Sequence, residues 1–178
     1  IILPNNFLTV VEITSQSFSK FLIVGHRWDM DVVEIVNFNN QTESKIFWKD
    51  AQKKSLKHAC TGIDYFVFRK DSFKNLPDFA IGRPGYDNWL LWNARRHFIS
   101  LIDVSNEVMA IHQNHDYRVY TDPKLFPEPD SRANKKLHGA NTLNLLDTNY
   151  HLENGLIKKK RSREFINRNL GKLPIIFP

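Results

Sequence analysis

Cysteine is almost missing from this chain: Cys60 is the only one in 178 residues. A single thiol excludes an internal disulfide framework and a cysteine-rich zinc site, and it is compatible with a reducing compartment. No apolar run approaches the roughly 20 residues that cross a bilayer, so no membrane span is expected. A secretory leader pattern is also missing. So are the phosphate-binding loop, the dinucleotide-binding glycine fingerprint, the serine nucleophile elbow and the His-Glu-x-x-His zinc motif. No internal repeat or low-complexity tract interrupts the chain.

What remains is an ordinary globular composition, 42% hydrophobic and 25% charged, with a heavy aromatic load of thirteen Phe and four Trp. That length supports one domain with a sizeable core. Aromatics in such number serve core packing and stacking on flat ligands or sugars. The formal net charge of +6 favours anionic partners such as nucleotides and phosphates. Much of the excess sits in Lys158-Lys159-Lys160-Arg161 with Arg163. That run reads first as a solvated face or tail. A nucleic-acid partner is not favoured, because no binding motif and no interleaving of aromatic with basic residues accompanies the run.

Local patterns give the organisation. Pro4-Asn5-Asn6 starts a short helix through Phe7, Val10, Val11 and Ile13. Phe21-Leu22-Ile23-Val24-Gly25 is the continuous apolar run of a strand buried on both faces. Residues 30–57 read as a polar loop with one weak helix. Residues 59–68 read as a second strand, 88–97 as a helix and 99–105 as a strand. Past Tyr117 the prolines at 123, 127 and 129 mark an irregular crossing, followed by one or two weakly periodic helices. Strands alternating with helices predict an α/β fold, a mixed sheet flanked by helices.

The segment from Gly82 to Tyr117 is the densest in chemistry. Gly82-Arg83-Pro84-Gly85 predicts a tight, shaped loop. Asp87 after it is either a helix N-cap or a carboxylate beside Arg83 placed as a general base. His112 and His115, followed by Asp116, have a spacing that can share a divalent metal, or can simply bond the backbone. Trp89 and Trp92, three apart on a helix, are core residues by default and a stacking platform otherwise. Asp64, inside an apolar run, needs partners, either as a hydrogen-bond hub or as part of a polar pocket. His138 and His151 stand in polar surroundings and carry no expected role.

Four blocks together resemble the acceptor-side half of a GT-A-type, nucleotide-sugar-dependent glycosyltransferase. They are Phe-Leu-Ile-Val-Gly-His-Arg-Trp-Asp (21–29), Gly-Ile-Asp-Tyr-Phe-Val-Phe (62–68), Phe-Ala-Ile-Gly-Arg-Pro-Gly-Tyr-Asp-Asn-Trp (79–89) and Ala-Ile-His-Gln-Asn-His-Asp-Tyr (110–117). The resemblance covers residues 1–117. It implies an acceptor-side catalytic part over 1–120, with an irregular and helical extension over 121–178. Asp87 resembles the acid that serves inverting members as catalytic base, and His112 or His115 the histidine that helps hold the divalent ion, Mn2+ or Mg2+, on the donor diphosphate. Gly62 and Asp64 would line the pocket, with Arg27, Trp28, Arg83 and Asn88 around it. The partners implied are a nucleotide-sugar donor and a glycan or other hydroxyl acceptor. Ile1-Ile2-Leu3-Pro4 resembles the residues just past the family's Asp-x-Asp metal motif, so the nucleotide-binding half is expected to lie outside this chain. The competing expectation is a non-catalytic carbohydrate- or nucleotide-binding module.

Overall fold

Four consecutive apolar residues cannot alternate between core and solvent, so Phe21–Val24 must be covered on both faces. In the computed structural model all four are buried. Residues 1–115 and 128–176 are described by the structure. Asp116, Tyr117, Pro123 and Pro127 lie outside the described residues. The elements are α1 (Phe7–Ser17), β1 (Phe21–Val24), β2 (Arg27–Met30), α2 (Gln41–Lys54), β3 (Leu56–Lys57), β4 (Val67–Phe68), α3 (Tyr86–Arg96), β5 (Ser100–Asp103) and β6 (Ala110–Gln113). They continue with α4 (Glu128–His138), a 3-10 turn at Leu145–Asp147, β7 (Tyr150–Glu153), β8 (Leu156–Lys159) and α5 (Arg163–Ile176).

These form two mixed sheets. The larger has the order β4-β1-β5-β7-β8, parallel between β1, β5 and β7 and antiparallel at both edges. The smaller has the order β3-β2-β6, with β2 and β6 parallel. An antiparallel bridge from Ile2 to Ile111 adds to β6. The α/β class with mixed sheets and flanking helices is therefore as expected.

Side-chain alternation along β1 splits the core. Leu22 and Val24 join Leu101 and the inward face of α3. Phe21 and Ile23 join Ile102 and Val10 of α1 on the other face. Helix α3 is buried nearly all round, with Trp89, Leu90, Leu91, Trp92 and Ala94 all in the first cluster. Trp89 and Trp92 are thus core residues, each 7% exposed, and the stacking-platform reading of this pair falls. The smaller sheet has its own cluster, where Met30 and Ile111 meet Phe47 and Ala51 of α2. That helix is stronger than its composition promised. The Asn40 side chain accepts from the N–H groups of Thr42 and Glu43, and Glu43 accepts in turn from the Asn40 amide.

Three expectations need correction. Residues 59–66 are irregular, and only Val67–Phe68 pair as a strand, on the antiparallel edge of the large sheet. Helix α3 begins with Gly85 at its N-cap position, so Asp87 lies in the first turn and is not the cap. The residues after 128 do more than add helices: β7 extends the main sheet beside β5, and Leu143, Leu145 and Ile176 complete the first core cluster.

Helix α5 is anchored by charge. Asp147 is 1% exposed, and Arg168 donates to it from Nε at 2.5 Å and from Nη2 at 2.9 Å. Helix α4 instead supports the loop before α3. Asn134 is fully buried; its Oδ1 accepts the Ala80 N–H at 2.9 Å, and its Nδ2 donates to the Ala80 carbonyl at 3.0 Å. The carbonyls of Arg83 and Pro84 lie within 3.4 Å of the same nitrogen. Asn134→Ala should therefore lower the unfolding free energy by about 1–3 kcal/mol, the cost of leaving buried backbone groups unsatisfied, as read by urea denaturation.

Candidate functional site

The bend between the two sheets places charge where the larger one ends. Chain leaving β1 passes Gly25 and His26 and enters β2 at Arg27, and this bend is tight: a Cβ on Gly25 would sit 2.0 Å from the Tyr65 hydroxyl. Arg27 is the hub. Its Nη1 donates to both oxygens of Asp64, at 3.1 and 3.0 Å, and its Nε stands 3.0 Å from Asp29 Oδ1. One guanidinium thus faces two carboxylates, a fork geometry in which an arginine can be taken out of water. The Asp64 reading as a hydrogen-bond hub and the reading as part of a pocket both describe what is found.

Two imidazoles flank the triad. His58 Nδ1 lies 2.6 Å from Asp29 Oδ2, and Arg27 Nη2 approaches the same ring nitrogen at 3.3 Å. The ring needs Gly62 beneath it, because a Cβ there would fall 2.1 Å from His58 Cδ2. On the far side His112, in β6, brings Nδ1 to 2.7 Å from Asp64 Oδ2, in ion-pair range without the alignment of a hydrogen bond. His112 Nε2 is buried and has no hydrogen-bond partner among the described residues. Burial pushes the His112 pKa below its ordinary value, and Arg27 adds to this against the opposing pull of Asp64.

Across the cavity stands the first turn of α3. Gly85 takes a left-handed backbone, φ 101°, and a Cβ there would meet the His138 ring of α4 at 2.4 Å. Only glycine satisfies both demands. His138, to which no role was assigned from its surroundings, therefore braces this loop. Asp87 follows in the first helical turn, where backbone N–H groups gather. Burial raises its carboxyl above the ordinary 3.8. The amides of Asn88 and of Asp87 itself pull the other way, and the negative charge of Asp64 adds to the rise. The Asn88 side chain is turned to the C-terminal segment, donating to the Leu143 carbonyl at 2.9 Å.

The cavity between these walls measures about 990 Å³. It brings together Arg27, Gly62, Asp64, Arg83, Asp87, Asn88, His112 and His115, eight of the nine residues singled out from the sequence. Trp28 is the exception. It packs with the cluster under the small sheet, and Lys57 Nζ sits 5.8 Å from its ring centroid. Alternation along β2 explains this: Arg27 and Asp29 share one face and Trp28 takes the other. His58 and Asp29 are the functional candidates that sequence reading passed over. The signal available for them was modest, since β2 carries two charged residues of opposite sign at a spacing of two.

For a metal, the residues present offer a share and not a closed site. The rings of His112 and His115 are 5.3 Å apart by centroid. No group of three or more His, Cys, Asp or Glu among the described residues is arranged to hold an ion. Asp64 is already engaged by Arg27, and Asp116 lies outside the described residues. The orphaned His112 Nε2 fits the role of one ligand whose companions come from elsewhere.

Comparison with known protein families, with curated proteins and with solved structures finds no match to this chain.

The raised Asp87 carboxyl has a measurable consequence. The folded chain holds this proton to higher pH than the unfolded chain does, so its stability falls as pH rises from 3.8 through the raised value. Asp87→Asn should remove that part of the slope. Denaturation of both proteins at steps between about pH 3 and pH 7 should show the wild type losing stability relative to the variant as pH rises.

Proposed function

We propose that this chain is the acceptor-side part of a glycosyltransferase that moves a sugar from a nucleotide-sugar donor to a hydroxyl acceptor, with inversion. One observation carries the reading: a desolvated carboxylate, Asp87, lies in a helix first turn on one wall of a 990 Å³ cavity whose other wall is an ordered network of charge. A general base works best when its pKa lies closer to the operating pH than an exposed carboxylate's does. Asp87 would take the proton from the acceptor hydroxyl as that oxygen attacks the anomeric carbon. The bond from that carbon to the diphosphate oxygen breaks, and the nucleoside diphosphate leaves with the bonding pair. Arg27, with two carboxylates around it, is committed to holding Asp64 and Asp29 in place. Arg83 sits on the rim of the Asp87 wall and adds positive charge toward an anionic donor. A divalent ion, when bound, would neutralise charge on the leaving diphosphate, and His112 Nε2 is the donor atom this chain offers it. The GT-A-like architecture and the Mn2+ or Mg2+ dependence belong to this same proposal.

A second reading keeps the pocket and drops the chemistry. A non-catalytic carbohydrate- or nucleotide-binding module is favoured by the lack of a three-ligand metal group among the described residues. A basic nucleic-acid-binding surface is less well supported. Lys158 pairs with Glu153 at 2.6 Å, and Lys160 turns inward to Thr148 at 2.6 Å, which breaks the run into separate charges.

The test is a screen of nucleotide sugars for hydrolysis and transfer with manganese. Wild-type turnover should fall about 10²–10⁴-fold in Asp87→Asn, with donor binding retained. Its acid limb should lie above the ordinary carboxylate value of 3.8, since activity requires the deprotonated base. Unchanged turnover in the variant would remove Asp87 from the mechanism. Donor binding by the wild type without any turnover would leave the binding-module reading standing.

A further inference from the structure

A second cavity, of about 340 Å³, opens at the other end of α3. Its lining comes from Lys20 before β1, from the 71–75 turn, and from Asn93, His97 and Ile99 at the helix C-terminus. Its size is at the small end of the roughly 300–1,000 Å³ typical of ligand sites. One neutral polar group in its wall lacks the partner that buried groups normally have. Among the described residues nothing hydrogen-bonds the buried Ser72 hydroxyl oxygen. Asn93, only 6% exposed, also lines this space.

The remaining lining decides the class of ligand. Lys20 and Lys74 bring positive charge, but Asp71 opposes them. The cavity also lies at the carbonyl end of α3, where the helix dipole disfavours an anion. His97 Nδ1 is 2.9 Å from the Asn93 carbonyl, which fixes a proton on that nitrogen, and Nε2 is an acceptor in the neutral ring and a donor in the charged one. Donors and acceptors are therefore both present in the lining, and Phe73 and Ile99 supply the apolar part. Asp71 and Asn75 hold left-handed backbones, φ 68° and 53°, so the turn that presents Ser72, Phe73 and Lys74 is bounded at both ends by strained residues.

We propose that this cavity is a binding site for a neutral polyhydroxylated ligand, a sugar unit of monosaccharide to disaccharide size, separate from the Asp87 cavity. Hydroxyls that both donate and accept suit Ser72, the Asn93 and Asn75 amides, Asp71 and His97, and a sugar ring face suits Phe73. The assignment rests on this cavity alone and does not depend on the reading of the other.

The experiment is a titration of the ¹⁵N-labelled chain with a panel of neutral mono- and disaccharides, with inorganic phosphate as a parallel arm, followed by amide shifts in two-dimensional NMR. The expected result is saturable shifts of the Ser72–Asn75 backbone amides and of the Asn93 side-chain amide with at least one saccharide. Affinity should weaken about tenfold in Asn93→Asp, which keeps the shape and replaces two donors by acceptors. Ser72→Ala, at a half-buried turn position, checks the same loss with little risk to the fold. No saccharide shift anywhere, saccharide shifts confined to residues 83–88, or shifts at Ser72–Asn75 with phosphate alone would each overturn the proposal. The glycosyltransferase reading would survive all three, since it is tested by turnover.

Discussion

Arg27 is the constraint around which the site is built. A guanidinium cannot be deprotonated to escape burial, so a chain that draws it into the bend between two sheets must bring carboxylates to it. It is met by Asp29 from its own strand and by Asp64 from a segment 37 residues later. Those two then have remaining oxygen atoms to place, and each takes an imidazole: His58 on Asp29, His112 on Asp64. Four segments are tied together by that one charge. Removing either carboxylate would leave a buried cation underpaired, while the two together leave the wall with a net negative charge when both imidazoles are neutral.

The other wall rests on packing and backbone geometry instead. Gly85 turns the chain into α3 with a left-handed φ, His138 fills the space against it, and Asn134 holds the residues just upstream. The rigidity of α3 follows from having Trp89, Leu90, Leu91 and Trp92 in the core, so the Asp87 carboxylate is carried on an element with little freedom to move. A network of ion pairs on one side and a buried helix on the other give a cavity whose walls are each fixed by a different kind of interaction.

Much of this was legible in the residues themselves. The run at 21–24 could only be a doubly covered strand, and Gly82-Arg83-Pro84-Gly85 could only be a shaped loop. Eight of nine singled-out residues line one cavity, and seven of these are polar or titratable side chains, which among apolar elements have few other places to be. The failures have physical reasons. The resemblance places Trp28 at the pocket beside Arg27, whereas strand alternation sends it to the opposite face. Residues 59–66 are as apolar as a strand, but they follow the Arg27–Asp64 tie rather than a ladder. The β7–β8 hairpin was missed although Asn154-Gly155 marks it, with φ of 52° and 70° in the two-residue turn. The flanking strands are too polar for periodicity to reveal them. His58 was passed over because nothing local distinguishes it, and its place depends on Gly62 leaving room.

The support given by Asn134 to residues 80–84 bears on how this molecule acquires its shape. Its bond to the Ala80 carbonyl spans 54 residues of chain, and the β1–β5 and β2–β6 pairings are longer still. Closing such loops costs entropy before any contact is gained, and folds built on distant parallel pairings are slow to form. The residues that line the Asp87 cavity all precede α4, yet one of its walls is braced by Asn134 and His138 of that helix. The pocket therefore exists only where segments far apart in sequence have met, and an intact pocket reports that those distant pairings are in place.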